Sequence, residues 1–151
     1  MDTIVRGSIA GVIGSTVYFM VSWLVFIAGV LPTTPIHYAG KLLTAPGTPI
    51  TMTSLVIGTI GILVAGAFVG TLVSFLLRIT GPDFAWLKGL GVGAVLWPVH
   101  VSFLPGLLGP RVFSTLPPVM VIGSLFLSLL WGLTTGLVLQ LLTREELRSE
   151  G

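Results

Sequence analysis

The chain contains no cysteine, so disulfides, thiolate metal sites, cysteine nucleophiles and iron–sulfur ligation are excluded together. Charge is almost as scarce, at 8% of 151 residues against about a quarter in soluble domains. So little charge cannot cover a water-facing surface. The acids are rarest where chemistry would need them. Asp2, Asp83, Glu145, Glu146 and Glu150 all fall at the termini or in one turn, leaving no carboxylate inside an apolar run to act as general base or proton relay. Seven basic residues are too few for a nucleic-acid stripe, so no nucleic-acid partner is expected.

What the chain does have is apolar length. Hydrophobic residues make up 54%, and the mean hydropathy is +1.07. A hydrocarbon core about 30 Å thick needs roughly 20 apolar residues at about 1.5 Å rise each. Four runs meet that, over residues 8–31, 52–77, 87–107 and 117–142. The expected fold class is therefore all-α: one integral membrane domain over residues 1–151, a polytopic four-transmembrane-helix bundle. Between the runs, Leu31 to Pro49 carries four prolines and reads as a loop rather than a helix. Thr80-Gly81-Pro82-Asp83 reads as a turn whose Asp83 caps the next helix, and Pro117-Pro118 suits a first helical turn. The first run exceeds the 7 to 15 residues of a signal-peptide core, so it reads as an uncleaved helix.

Orientation follows from where the cations fall, because Lys and Arg near span ends stay in the cytoplasm. Arg6, Arg78, Lys88, Arg144 and Arg148 share one side, and Lys41 and Arg111 the other. Both termini are thus expected in the cytoplasm, with the bacterial cytoplasmic membrane as location and the lipid bilayer as first partner. The charged end from Arg144 to Arg148 reads as a solubilised helix end anchored at the headgroups rather than a docking tail.

The second and fourth runs share a pattern. Gly66, Gly70 and Arg78 recur as Gly132, Gly136 and Arg144 at one offset of 66, and Val56-Ile57-Gly58-Thr59 resembles Val121-Ile122-Gly123-Ser124. The first and third match more loosely, with Gly11 and Gly14 near Gly91 and Gly93, and Val21-Ser22 against Val101-Ser102. A duplicated helical hairpin of parallel type is one reading, and the shared composition of glycine-rich apolar helices is the other.

Helices in a bilayer associate through close packing at small residues and through hydrogen bonds. Gly7 and Gly11 with Ser15, Tyr18 and Ser22 form such a stripe, as do Gly66 and Gly70 with Ser74. Gly89 and Gly93 run on to Trp97 and His100, and Ser124 and Ser128 to Gly132, Thr135 and Gly136. These faces serve equally for packing within the chain, for a homo-oligomer, or for another membrane protein as partner.

His100 is the one side chain within a run that ionises near neutral pH, and an ionisable residue there is a functional candidate. Counted from Lys88 it lies about 18 Å along its helix at about 1.5 Å per residue, a depth shared by Tyr18, Ser22 and Ser124. Pro98 adds polarity, because it cannot donate to the Ala94 carbonyl. The plain alternative is a neutral histidine bonded to a neighbouring Ser or Tyr. A haem or metal ligand would need companions that are absent: the other histidine, His37, is in a loop, and no cofactor or metal is expected. A Ser–His pair would have no carboxylate to orient it, so no enzyme is expected. Gly89, Gly91 and Gly93 imitate a dinucleotide fingerprint, but no strand precedes them.

Three stretches together resemble the YqhR-type family of bacterial membrane proteins. They are Gly7-Ser-Ile-Ala-Gly11, the Gly89-to-Trp97 run and Trp131-Gly-Leu-Thr-Thr-Gly136. The resemblance implies a four-helix membrane protein and carries over no active-site residue. Two functions then compete. One is a small structural, regulatory or accessory subunit that assembles through its small-residue faces. The other is a small transporter or channel with a polar path around His100.

Overall fold

The structure, a computed structural model, describes residues 2–44, 49–103 and 117–149, without the side chains of 146–149. It is all-helical: α1 (Thr3–Ile27), α2 (Pro35–Leu43), α3 (Met52–Thr80), α4 (Ala85–Pro98), and α5 (Pro118–Ser149). From Pro98 onward α4 widens into a π-helical turn over Val99–Phe103, as a proline that cannot donate a helical hydrogen bond favours. Among the described residues there is no strand.

α1, α3 and α5 are each long and apolar enough to cross a membrane. Only 28%, 28% and 39% of their most apolar windows are buried inside the bundle. The rest faces outward as Leu24, Val64, Phe68, Phe126 and Leu141, all more than half exposed, so these helices need an apolar solvent. The run 87–107 coincides with α4, whose 14 residues and 5-residue π turn end at Phe103. Residues 104–116, with Arg111, lie outside the described residues.

Local signals explain most of the ends. Thr51 and Ser54 close a reciprocal capping box at the start of α3, and Gly81 ends that helix with φ of 88°. Two sequence expectations are corrected here. The segment Leu31 to Pro49, read as loop, contains α2, which starts on Pro35 as its first helical residue. Its nine residues are too short for the span criterion, and the surrounding prolines hid it. Asp83 does not cap α4 either. The N-cap is Phe84, in the left-handed region with no side-chain cap bond, while Lys88 Nζ reaches back to the Thr80 and Gly81 carbonyls at 3.1 and 2.8 Å.

The closest packing joins α1 to α3 and α4 to α5, both antiparallel, and α1 against α5 joins the two pairs. α3 and α4 meet only thinly, and α2 lies on α3. Arg6 Nη1 donates to Thr143 Oγ1 at 3.4 Å, so the start of α1 and the end of α5 share one end of the bundle.

Both close seams run through the glycine stripes. A methyl at Gly11 would fall on the Gly66 carbonyl, and one at Gly70 on the Gly7 carbonyl. In the second seam Gly89 and Gly132 face each other's carbonyls, Gly93 faces the Ser128 carbonyl and Gly136 that of Ala85. All eight predicted packing glycines are thus used inside the chain. Gly7, Gly11 and Ser15 hold the places in the first seam that Ala85, Gly89 and Gly93 hold in the second, 78 positions further on. The expected pairing of Val21-Ser22 with Val101-Ser102 is therefore two residues out of register, because it matched residue types and not the carbonyls they meet. With α3 and α5 related by 66, the α1–α3 unit is 12 residues longer, the stretch in which α2 lies.

Candidate functional site

Where α3 and α4 part, a partly open cavity of about 410 Å³ remains between them. α3 lines it with Gly61, Ile62, Ala65 and Val69, α4 and its π turn with Leu96, Val99 and His100, and α2 covers it with Tyr38 and Leu42. Ser15 and Tyr18 of α1 and Ser128 and Trp131 of α5 complete the lining. Among the described residues the wall is mostly carbon with a few polar groups and no Asp, Glu, Lys or Arg, which suits a small, neutral, largely apolar molecule.

The polar groups are fixed by bonds between helices. Trp131 Nε1 donates to Ser15 Oγ at 3.1 Å, fastening α5 to α1 at the cavity floor. His100 Nε2 stands 3.5 Å from Ser128 Oγ, whose own proton goes to the Ser124 carbonyl at 2.8 Å. The role of Nε2 follows the tautomer: an Nε2–H donates to Ser128 Oγ, whose own proton is committed, and a bare Nε2 leaves its lone pair to the cavity. Among the described residues nothing accepts the Tyr18 hydroxyl proton.

Tyr38 holds α2 over the cavity, its hydroxyl donating at 3.0 Å to the His100 backbone carbonyl. Burial pushes the Tyr38 phenol above its ordinary pKa, so it remains a neutral donor throughout the physiological range. Tyr38→Phe removes only that donor. It is expected to cost about 0.5–1.5 kcal/mol locally and to speed amide exchange in α2 ahead of α1 and α3. Unchanged exchange in α2 would mean that its other contacts, those of Ile36 and Gly40 with α3 among them, hold the helix.

Of the four polar positions expected to act together, the structure brings Tyr18 and His100 to one cavity and leaves the other two outside its lining. Ser22 is fully buried and donates to the Phe19 carbonyl of its own helix at 2.8 Å. Ser124 accepts from Trp97 Nε1 at 3.1 Å and donates to the Val121 carbonyl. Equal depth along the axis did not mean the same face. The sequence reading did not assign Tyr38, Ser15, Ser128 and Trp131 to a site. Ser15 and Ser128 were on the small-residue stripes, which was their one visible signal; Tyr38 and Trp131 find partners 62 and 116 positions away.

No protein-family model matches the chain, and no curated protein or solved structure matches it.

Proposed function

We propose that this is a four-span protein of the bacterial cytoplasmic membrane with both termini in the cytoplasm, and that it binds, and as a small carrier passes on, a small lipid-soluble molecule held between α3 and α4. α4 and its π turn supply the fourth crossing: 19 residues at about 1.5 Å each approach the thickness of the hydrocarbon core. The shared end of α1 and α5 carries Arg6 and Arg144, which agrees with the cytoplasmic side. A duplicated hairpin accounts for two seams built to one plan, and α2 is then the addition that closes the cavity of one unit. The resemblance to the YqhR-type family fits the four helices and adds nothing on function.

The observation that carries the functional reading is the cavity, where neutral polar groups from four helices converge in an apolar wall. The accessory-subunit reading relies on small-residue faces for assembly. With the eight glycines packed inside the chain, a partner would have to bind other surfaces. The proposal is non-enzymatic: it asks His100 and Tyr18 to hold a molecule and not to transform one.

Native mass spectrometry of the protein released from its own lipid tests this. Wild type is expected to carry a bound small molecule lighter than a phospholipid, and Ala65→Trp, which fills the cavity, to carry none. A bare wild type, or the same occupant on both proteins, would sink the binding reading.

A further inference from the structure

The chain contains its own picture of what fits the cavity. The seam between α1 and α5 and the gap between α4 and α3 occupy equivalent places in the two units. At the offset of 66 found between α3 and α5, Trp131 corresponds to Ala65, and Thr135 to Val69. At the offset of 78, Gly14 of α1 corresponds to Val92 of α4. In the closed seam a methyl on Gly14 would fall on Thr135 Oγ1, and the indole of Trp131 fills the space beside it, donating its N–H to Ser15. In the open one two valines replace the Gly–Thr contact, and both pack against the core cluster. Alanine stands where the indole would be. The cavity is therefore the place a flat aromatic ring occupies in the other unit.

The polar lining narrows the ligand further. His100 Nε2 stands 3.5 Å from Ser128 Oγ, whose proton is directed to the Ser124 carbonyl, so the imidazole on the cavity wall receives no proton from Ser128. The Tyr18 hydroxyl, also on the cavity wall, offers a proton. A hydroxyl on the ligand both donates and accepts, so it pairs with the imidazole in either tautomer and can also accept from Tyr18. With no ionised side chain among the described residues of the lining, a neutral ligand fits, because a buried unpaired charge would be strongly disfavoured. On these grounds, and resting on the binding reading above, we propose that the cavity takes a neutral, flat aromatic molecule bearing one hydroxyl on its edge, which hydrogen-bonds to the His100 imidazole and enters from the bilayer between α3 and α4. Its volume of about 410 Å³ admits two or three fused rings.

2-Naphthol and naphthalene, which share a ring system and differ by one donor, are suitable probes. The full chain in nanodiscs, with ¹⁵N-labelled histidine and the His37 signal assigned through His37→Asn, gives a reading at the site itself. 2-Naphthol is expected to shift the His100 imidazole nitrogen resonances saturably. Displacement of one probe by the other should show 2-naphthol binding about threefold to tenfold more tightly, the range of one net hydrogen bond. His100→Phe should erase that preference while retaining naphthalene, and Ala65→Trp should exclude both. Equal affinities, or unmoved His100 imidazole resonances under saturating 2-naphthol, overturn the hydrogen-bond assignment. In that case naphthalene binding that Ala65→Trp abolishes leaves the binding reading standing. Failure of wild type to bind either probe removes both.

Discussion

Gly89→Leu is expected to separate α4 from α5, whereas Gly91→Leu, two residues further along the same helix, should be tolerated. The two glycines see different surroundings. A Cβ at Gly89 meets the Gly132 carbonyl and lies 3.0 Å from the Gly136 Cα, all of it backbone that no rotamer change can move. A Cβ at Gly91 has nothing within 4 Å. Inserting methylenes into packed interiors costs about 1–3 kcal/mol when side chains can adjust, and a clash with backbone falls at or above the top of that range. The lost contact also cannot be replaced by burying leucine, because lipid is as apolar as the helix it would leave. The equivalent change in the first seam, Gly11→Leu against the Gly66 carbonyl, should cost a similar amount. Reversible unfolding in bicelles would read all three. If Gly89→Leu and Gly91→Leu proved equally stable, the α4·α5 seam would not be the one described.

These glycines were legible in the sequence because small residues spaced three or four apart mark one helix face, and a bilayer gives such a face one physical use: close approach. The partner of each face was not legible. The same stripe serves an oligomer or a neighbour in the chain, and only the fold shows that Gly66 meets Gly11 and Gly132 meets Gly89. The site was half legible for a related reason. Depth can be counted along an axis, so His100 and Tyr18 were found at one level with Ser22 and Ser124. Face depends on how each helix is rotated about its axis, and that is set by neighbours distant in sequence. α2 escaped because its signals conflict locally: proline marks a loop, yet proline is also the favoured first residue of a helix. Its amphipathic nine residues become meaningful only once Gly58 of α3 is seen to receive the backbone of Ile36 and Gly40.

Trp131→Ala is expected to destabilise the protein more than any other truncation in the core, by about 3–5 kcal/mol, because it removes a large ring from a site whose walls cannot collapse. Gly14 and Thr135 already hold α1 and α5 at closest approach beside it, and the existing cavity lies on its other side, so the loss would extend that cavity into the α1·α5 seam. Trp131→Phe keeps most of the ring and loses the donor at 3.1 Å from Ser15 Oγ. Its cost separates hydrogen bonding from filling. A double-mutant cycle of Trp131→Phe with Ser15→Ala should give a coupling of about 0.6 kcal/mol, up to about 1.7, the range found for hydrogen bonds inside membranes. Most of the effect of Trp131→Ala would then come from volume. The two units of the bundle would differ in one decisive respect: one has its aromatic ring built in, and the other leaves the equivalent space at Ala65 to be filled from outside. A Trp131→Ala protein as stable as wild type would remove the basis for comparing the two seams, and with it the inference that the open one is shaped for an aromatic guest.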